Sequence, residues 1–212
     1  MINGKTIMDE EKKKFKQSIK IPLIFIGIIW LVKIVEVSAG ISFVQFGLLP
    51  REPVGLIGII TAPLIHSGFV HLISNTFPLF ILGTALYYFY PESAGRVAIL
   101  VYLLSNIIVW FIGRESYHIG ASGVVYGLVT FTFFSGVIRW DRRSIVLSLI
   151  ITFLYGSYTW GVLPTDPKVS WESHLSGAVI GFICAIIFKN KDPYEKFAGM
   201  DDEEDELEIN NL

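Results

Sequence analysis

The chain has 212 residues, 52% of them hydrophobic and only 17% charged, with a mean hydropathy of +0.57 and a formal net charge of −2. Most of the charge lies in the first 20 residues, in a short segment at 139–143 and after 188, a distribution that excludes an ordinary soluble domain. A single cysteine, Cys184, excludes an intrachain disulfide, and four histidines without a His-Glu-x-x-His spacing or a second thiolate argue against a metal site.

In chain order, residues 1–20 read as a polar cytoplasmic lead. Six apolar runs follow, at about 21–37, 69–90, 95–112, 121–138, 145–162 and 172–188, each close to the ~20 residues that cross the hydrocarbon core. With the N-terminus inside, thirteen Lys and Arg fall on the cytoplasmic side and three (Arg51, Arg114, Lys168) outside, so both termini are expected in the cytoplasm. Val37-Ser38-Ala39 resembles a small-residue cleavage site, but Lys33 and Glu36 interrupt the approach to it, so the first run is expected to be retained. Lys33 itself is expected to snorkel toward the interface.

The connection at about 38–68 is the longest and is apolar, with Phe43, Phe46, Leu48 and Ile57 among glycines and prolines; it is expected to lie in the membrane interface, partly as short amphipathic helices. Residues 191–212 form the last segment, with seven acids among the eight positions 201–208, which predicts a disordered cytoplasmic tail. The domain plan is therefore 1–20, a six-helix membrane domain over 21–190, and the tail.

Chemistry-bearing residues cluster in three of the runs. Gly120-Ala121-Ser122-Gly123 opens the run at 121–138, placing Ser122 where free N–H groups and the helix dipole favour developing negative charge. Alone, this serine reads equally as a helix cap. His174 shares a helical face with Gly177 and Gly181; these glycines and the Gly123–Gly127 pair are both Gly-x-x-x-Gly segments, which let helices approach closely. If those faces meet, Ser122 and His174 fall within hydrogen-bond reach, with Tyr126 one turn away to stack on the imidazole. An ionisable group at such a place usually marks function. His66, His71 and Asn75 stand in the run at 69–90 and its approach; His71 and Asn75 share a face and could donate to an oxyanion beside the Ser122 N–H, or serve as helix–helix polar contacts. His118 reads as a surface residue or a substrate-entry neighbour and Asn106 as a buried interhelical hydrogen bond; Asp166 or Glu172 could in principle add a third group to His174, but Glu172 is two residues away on a different helical face, so a dyad is expected. Phe153, Tyr155, Tyr158 and Trp160 are candidates for a side entrance.

His66-x-x-x-x-His71-x-x-x-Asn75, Gly120-x-Ser122-Gly123 with Tyr126, and His174-x-x-Gly177-x-x-x-Gly181, in that order, resemble the rhomboid intramembrane serine proteases over roughly 21–190. The resemblance implies an all-α bundle of six transmembrane helices with an interfacial first loop. It implies Ser122 as nucleophile, His174 as base, His71 and Asn75 as oxyanion donors, and supporting roles for His66 and Tyr126. It further implies cleavage of single-pass transmembrane proteins near the outer face, without cofactor, metal or nucleic acid. Two family features are missing. No Trp-Arg pair stands in the first loop, where Arg51-Glu52 is the nearest charge, and Tyr88, Phe89 and Tyr90 occupy a stretch that often holds an acid. A catalytically silent relative that binds transmembrane clients is the alternative; a transporter would show an inverted repeat, which is absent here. The expected place is a bacterial plasma membrane, in an oligomeric state the sequence leaves open.

Overall fold

The computed structural model describes residues 4–167 and 169–193. Among them the fold is helical: α1 (Gly4–Ser18), α2 (Lys20–Ala39), α3 (Gly58–Thr61), α4 (Phe69–Phe89), α5 (Ala94–Ile112), α6 (Ser122–Arg139), α7 (Arg142–Tyr155) and α8 (Trp171–Ile187). An isolated antiparallel bridge, Leu48 to His118, is the extent of β pairing among the described residues. Large apolar side chains point outward, Val70, Phe77, Phe111 and Phe153 among them, as a bundle dissolved in lipid requires.

Among the described residues, five helical stretches have 18 residues or more and are apolar enough to cross a membrane: Met8–Ala39, Phe69–Phe89, Ala94–Ile112, Ser122–Arg139 and Arg142–Val162. The sixth expected span, α8, has 17 residues and about 26 Å of rise, at the short end of what crosses a bilayer. It packs chiefly against α6 and α5, with Val179, Ile183 and Ile187 facing outward. The fifth run is not one α-helix: α7 stops at Tyr155 and a 3-10 stretch continues over Gly156–Val162.

Glycine decides how the central pair meets. A Cβ on Gly177 would lie 2.0 Å from the Gly123 carbonyl oxygen, and one on Gly181 2.1 Å from that of Gly127. With no side chain between them the two backbones touch, and the first turns of α6 and α8 are held side by side.

The loop between α2 and α4 is built from 3-10 turns at Val44–Phe46, Pro53–Ile57 and Ala62–Leu64 around α3. It is pinned from below. Lys33 does not snorkel: it is buried, donates to Glu36 Oε2 at 2.7 Å and to the carbonyls of His66 (3.1 Å) and Ser67 (3.4 Å), while Glu36 Oε1 accepts from the Phe43 N–H. The ammonium finds fixed acceptors nearer than the interface, which removes the reason to extend toward water.

At the opposite end, the Asp192 carboxylate accepts from the Glu92 N–H (2.6 Å), the Ser93 N–H (3.2 Å) and the Ser93 hydroxyl (2.6 Å). Arg139 donates to the Phe188 carbonyl at 2.8 Å and Arg143 to that of Asp192 at 2.7 Å. Ordered packing thus extends past 190, and the expected tail lies outside the described residues from 194 onward. In the lead segment, α1 packs on α4, and the Tyr88 hydroxyl donates to Glu11, an acid supplied by a different helix from the one the family pattern uses.

Candidate active site

Ser122 is the first residue of α6 and half-buried; His174 sits in the first turn of α8 and is buried. The glycine contact sets their helices together, and His174 Nε2 lies 2.8 Å from Ser122 Oγ. His174 Nδ1 is 2.8 Å from the Gly161 carbonyl oxygen. A carbonyl only accepts, so Nδ1 carries the proton and Nε2 turns its lone pair to the serine hydroxyl. The imidazole also stacks on Tyr126, with centroids 4.1 Å apart and planes 9° from parallel. Tyr126 rests in turn on Tyr158 at 5.1 Å.

Gly161 was not singled out in the sequence. It acts through its backbone, and a Cβ there would meet the Tyr126 hydroxyl at 1.8 Å, so a carbonyl at this place needs glycine. Glu172 is buried and turned to Arg114, whose Nε lies 3.4 Å away, while the Gly161 carbonyl takes the place of a third group on His174.

Gly120 precedes the serine at φ +109°, a conformation that favours glycine, and a Cβ on it would come within 2.7 Å of the His71 ring. His71 therefore lies against the serine loop. Its Nδ1 is 3.2 Å from Ser67 Oγ. Asn75 donates one N–H to the His71 carbonyl at 2.9 Å, which leaves its second for another acceptor. His66 is buried with its ring edge on His71 at 5.0 Å, and its Nε2 is 3.5 Å from the Ala121 N–H. Burial, helped by His71 and Lys33, pushes its pKa down to about 4, so it is neutral and acts as an acceptor. Ser122, His174, Tyr126, His71 and Asn75 line one cavity of about 550 Å³ with both polar and apolar walls.

His118 is not a surface residue. It is buried, its backbone pairs with Leu48, Nδ1 is 2.5 Å from Ser170 Oγ, and Nε2 is 3.1 Å from the Arg114 carbonyl. Asn106 donates to the Ile59 carbonyl of α3 at 3.3 Å, the expected interhelical hydrogen bond, and to that of Tyr102 in its own helix at 2.8 Å. Of the four aromatics near the end of α7, Tyr158 reaches the cavity and Tyr155 is buried, whereas Phe153 and Trp160 face outward.

Residues 54–191, more than half of the chain, match the profile of the Rhomboid domain. The chain belongs to the rhomboid family. An uncharacterized protein of Mycobacterium tuberculosis is 32% identical to it over 174 residues, covering 78% of this chain and 72% of its own length. Another, of Mycobacterium leprae, is 28% identical over 177 residues, 78% of this chain and 69% of its own. RHOMBOID-like protein 6, mitochondrial, of Arabidopsis thaliana is 28% identical over 134 residues, 61% of this chain and 42% of its own. The rhomboid match and the apolar helices make this a multi-pass integral membrane protein.

Within this rhomboid fold the first loop is held without a Trp-Arg pair. Arg51 donates to the Gly113 carbonyl at 2.6 Å and lies 3.6 Å from Glu115, and the Lys33–Glu36 pair fixes the other side.

Proposed function

We propose that this rhomboid-family protein is an intramembrane serine endopeptidase. The observation that carries the reading is the 2.8 Å contact between Ser122 Oγ and an unprotonated His174 Nε2 whose ring is held by Gly161 and Tyr126. Nucleophile, base and an orienting acceptor are thus in line. Ser122 attacks the scissile carbonyl as His174 Nε2 takes the hydroxyl proton. The tetrahedral oxyanion is received by the Ser122 N–H together with His71 and Asn75, each donor worth roughly 3–4 kcal/mol in comparable hydrolases. Collapse transfers the proton from His174 to the leaving amine and leaves an acyl-enzyme. Water entering the cavity then repeats the sequence, with His174 taking its proton, and releases the acid.

The substrates are single-pass transmembrane proteins, and the bilayer is the medium in which they meet the enzyme. A peptide bond in a helix is shielded, so cleavage falls where Gly, Pro or polar residues weaken the helix near the outer boundary. The positive-inside bias supports cytoplasmic termini and a site open to the outer face, in a bacterial plasma membrane. The test is labelling of the purified protein by a fluorophosphonate, with Ser122→Ala and His174→Ala beside the wild type. Labelling of the wild type alone is expected. A folded wild type that does not label would overturn the reading in favour of a client-binding relative.

A further inference from the structure

Beyond the glycine contact, the serine loop and the first turn of α8 are joined by a set of partly buried polar contacts that the reaction itself does not use. Arg114, just after α5, donates its backbone N–H to Glu172 Oε1 at 3.3 Å and pairs with it through Nε at 3.4 Å, and its guanidinium also bonds the Val169 carbonyl. Four residues on, His118 completes a chain whose direction follows by elimination. Its Nε2 faces the Arg114 carbonyl, which only accepts, so Nε2 carries the proton and Nδ1 is an acceptor. The Ser170 hydroxyl, 2.5 Å away, therefore donates to Nδ1, and the Ser173 hydroxyl, 2.6 Å from Ser170, donates to Ser170. His118 and Glu172 are 3% and 2% exposed, while their partners Arg114 and Ser170 border the site cavity.

One end of this brace is the loop that delivers Ser122; the other is the turn that delivers His174. The glycines tie the two helices below the dyad and the Tyr126 stack holds the His174 ring; the brace adds a tie at the outer ends of α6 and α8. We infer that His118 with Ser170, and Arg114 with Glu172, are positioning residues that set the separation of Ser122 and His174. None touches the reacting atoms. A displacement of about 1 Å at a reacting pair costs about a hundredfold in rate, so the brace acts on turnover more than on binding.

The inference rests on the protease reading, and its test separates the two. Full-length wild type, Ser170→Ala, Glu172→Gln and Glu172→Ala are compared in detergent by three measurements. These are the rate of fluorophosphonate labelling, thermal unfolding, and the ¹⁵N spectrum of the four histidines. The labelling rate is expected to fall about ten- to a hundredfold, with the His174 ¹⁵N signals shifted and unfolding near wild type. Glu172→Gln, which keeps an acceptor for Arg114, should retain more activity than Glu172→Ala. Ser170→Ala removes one hydroxyl only and keeps the question answerable if Glu172→Ala does not fold. Wild-type labelling rates in folded Ser170→Ala and Glu172→Gln would overturn the inference. If the wild type itself does not label, the protease reading fails, and the brace is judged on the His174 ¹⁵N signals alone. A change in the variants supports it and an unaltered spectrum overturns it.

Discussion

The carbonyl oxygen of Gly123 occupies the place where a side chain on Gly177 would begin, 2.0 Å from its absent Cβ. One turn on, Gly181 meets Gly127 the same way. A methyl at either position must push α8 from α6 and carry His174 from Ser122. Gly177→Ala and Gly181→Ala are therefore expected to cost about 1–3 kcal/mol of stability and to lose most fluorophosphonate labelling. Gly27→Ala, where a Cβ meets nothing within 4 Å, serves as the control and should leave both unchanged.

Tyr126 holds the His174 ring by its face, not by a hydrogen bond to it. Tyr126→Phe keeps that face and should retain activity within about twofold, whereas Tyr126→Ala should lower kcat by roughly ten- to a hundredfold. Steady-state kinetics on a transmembrane peptide substrate would decide it; equal losses in both variants would mean that the hydroxyl, not the stack, matters.

Lys33 and Glu36 are both buried, so removing one strands the other's charge. Either Lys33→Met or Glu36→Gln alone is expected to cost about 3–5 kcal/mol, and the double variant clearly less than their sum. Denaturation in mixed micelles gives the cycle, and additive losses would show that the pair is not coupled.

His66 adds a pH dependence to stability. Its folded pKa of about 4 is below the ordinary 6.5, so above about pH 6.5 it is neutral in both folded and unfolded chains and the stability is fully present. As the pH falls from 6.5 toward 4, the unfolded chain takes up a proton that the folded one refuses, and about 3 kcal/mol is lost across that window. Thermal unfolding scans should show the decline, and His66→Gln, which does not titrate, should make it shallower. A wild-type curve level over this range would contradict the burial argument.

Much of the site was legible because its chemistry is carried by rare side chains. A serine between glycines, histidines in apolar runs and two Gly-x-x-x-Gly segments stand out against Leu and Ile. Lys33 and His118 were misplaced for the converse reason. A lysine near a helix end and a histidine in a loop are ordinarily wet, and only the carbonyls of His66 and Ser67, or the Ser170 hydroxyl, draw these two inside.

The sequence by itself determined the membrane class, the helical runs and the candidate residues, since bilayer thickness, helical period and the cost of buried charge act locally along a chain. Only the tertiary structure decided which nitrogen of His174 holds the proton, because that depends on the Gly161 carbonyl, a backbone atom with no signature in residue type. The same holds for the brace from Arg114 and His118 to Glu172 and Ser170. Its members lie 52 to 58 positions apart and meet only because α6 and α8 have no side chains between them.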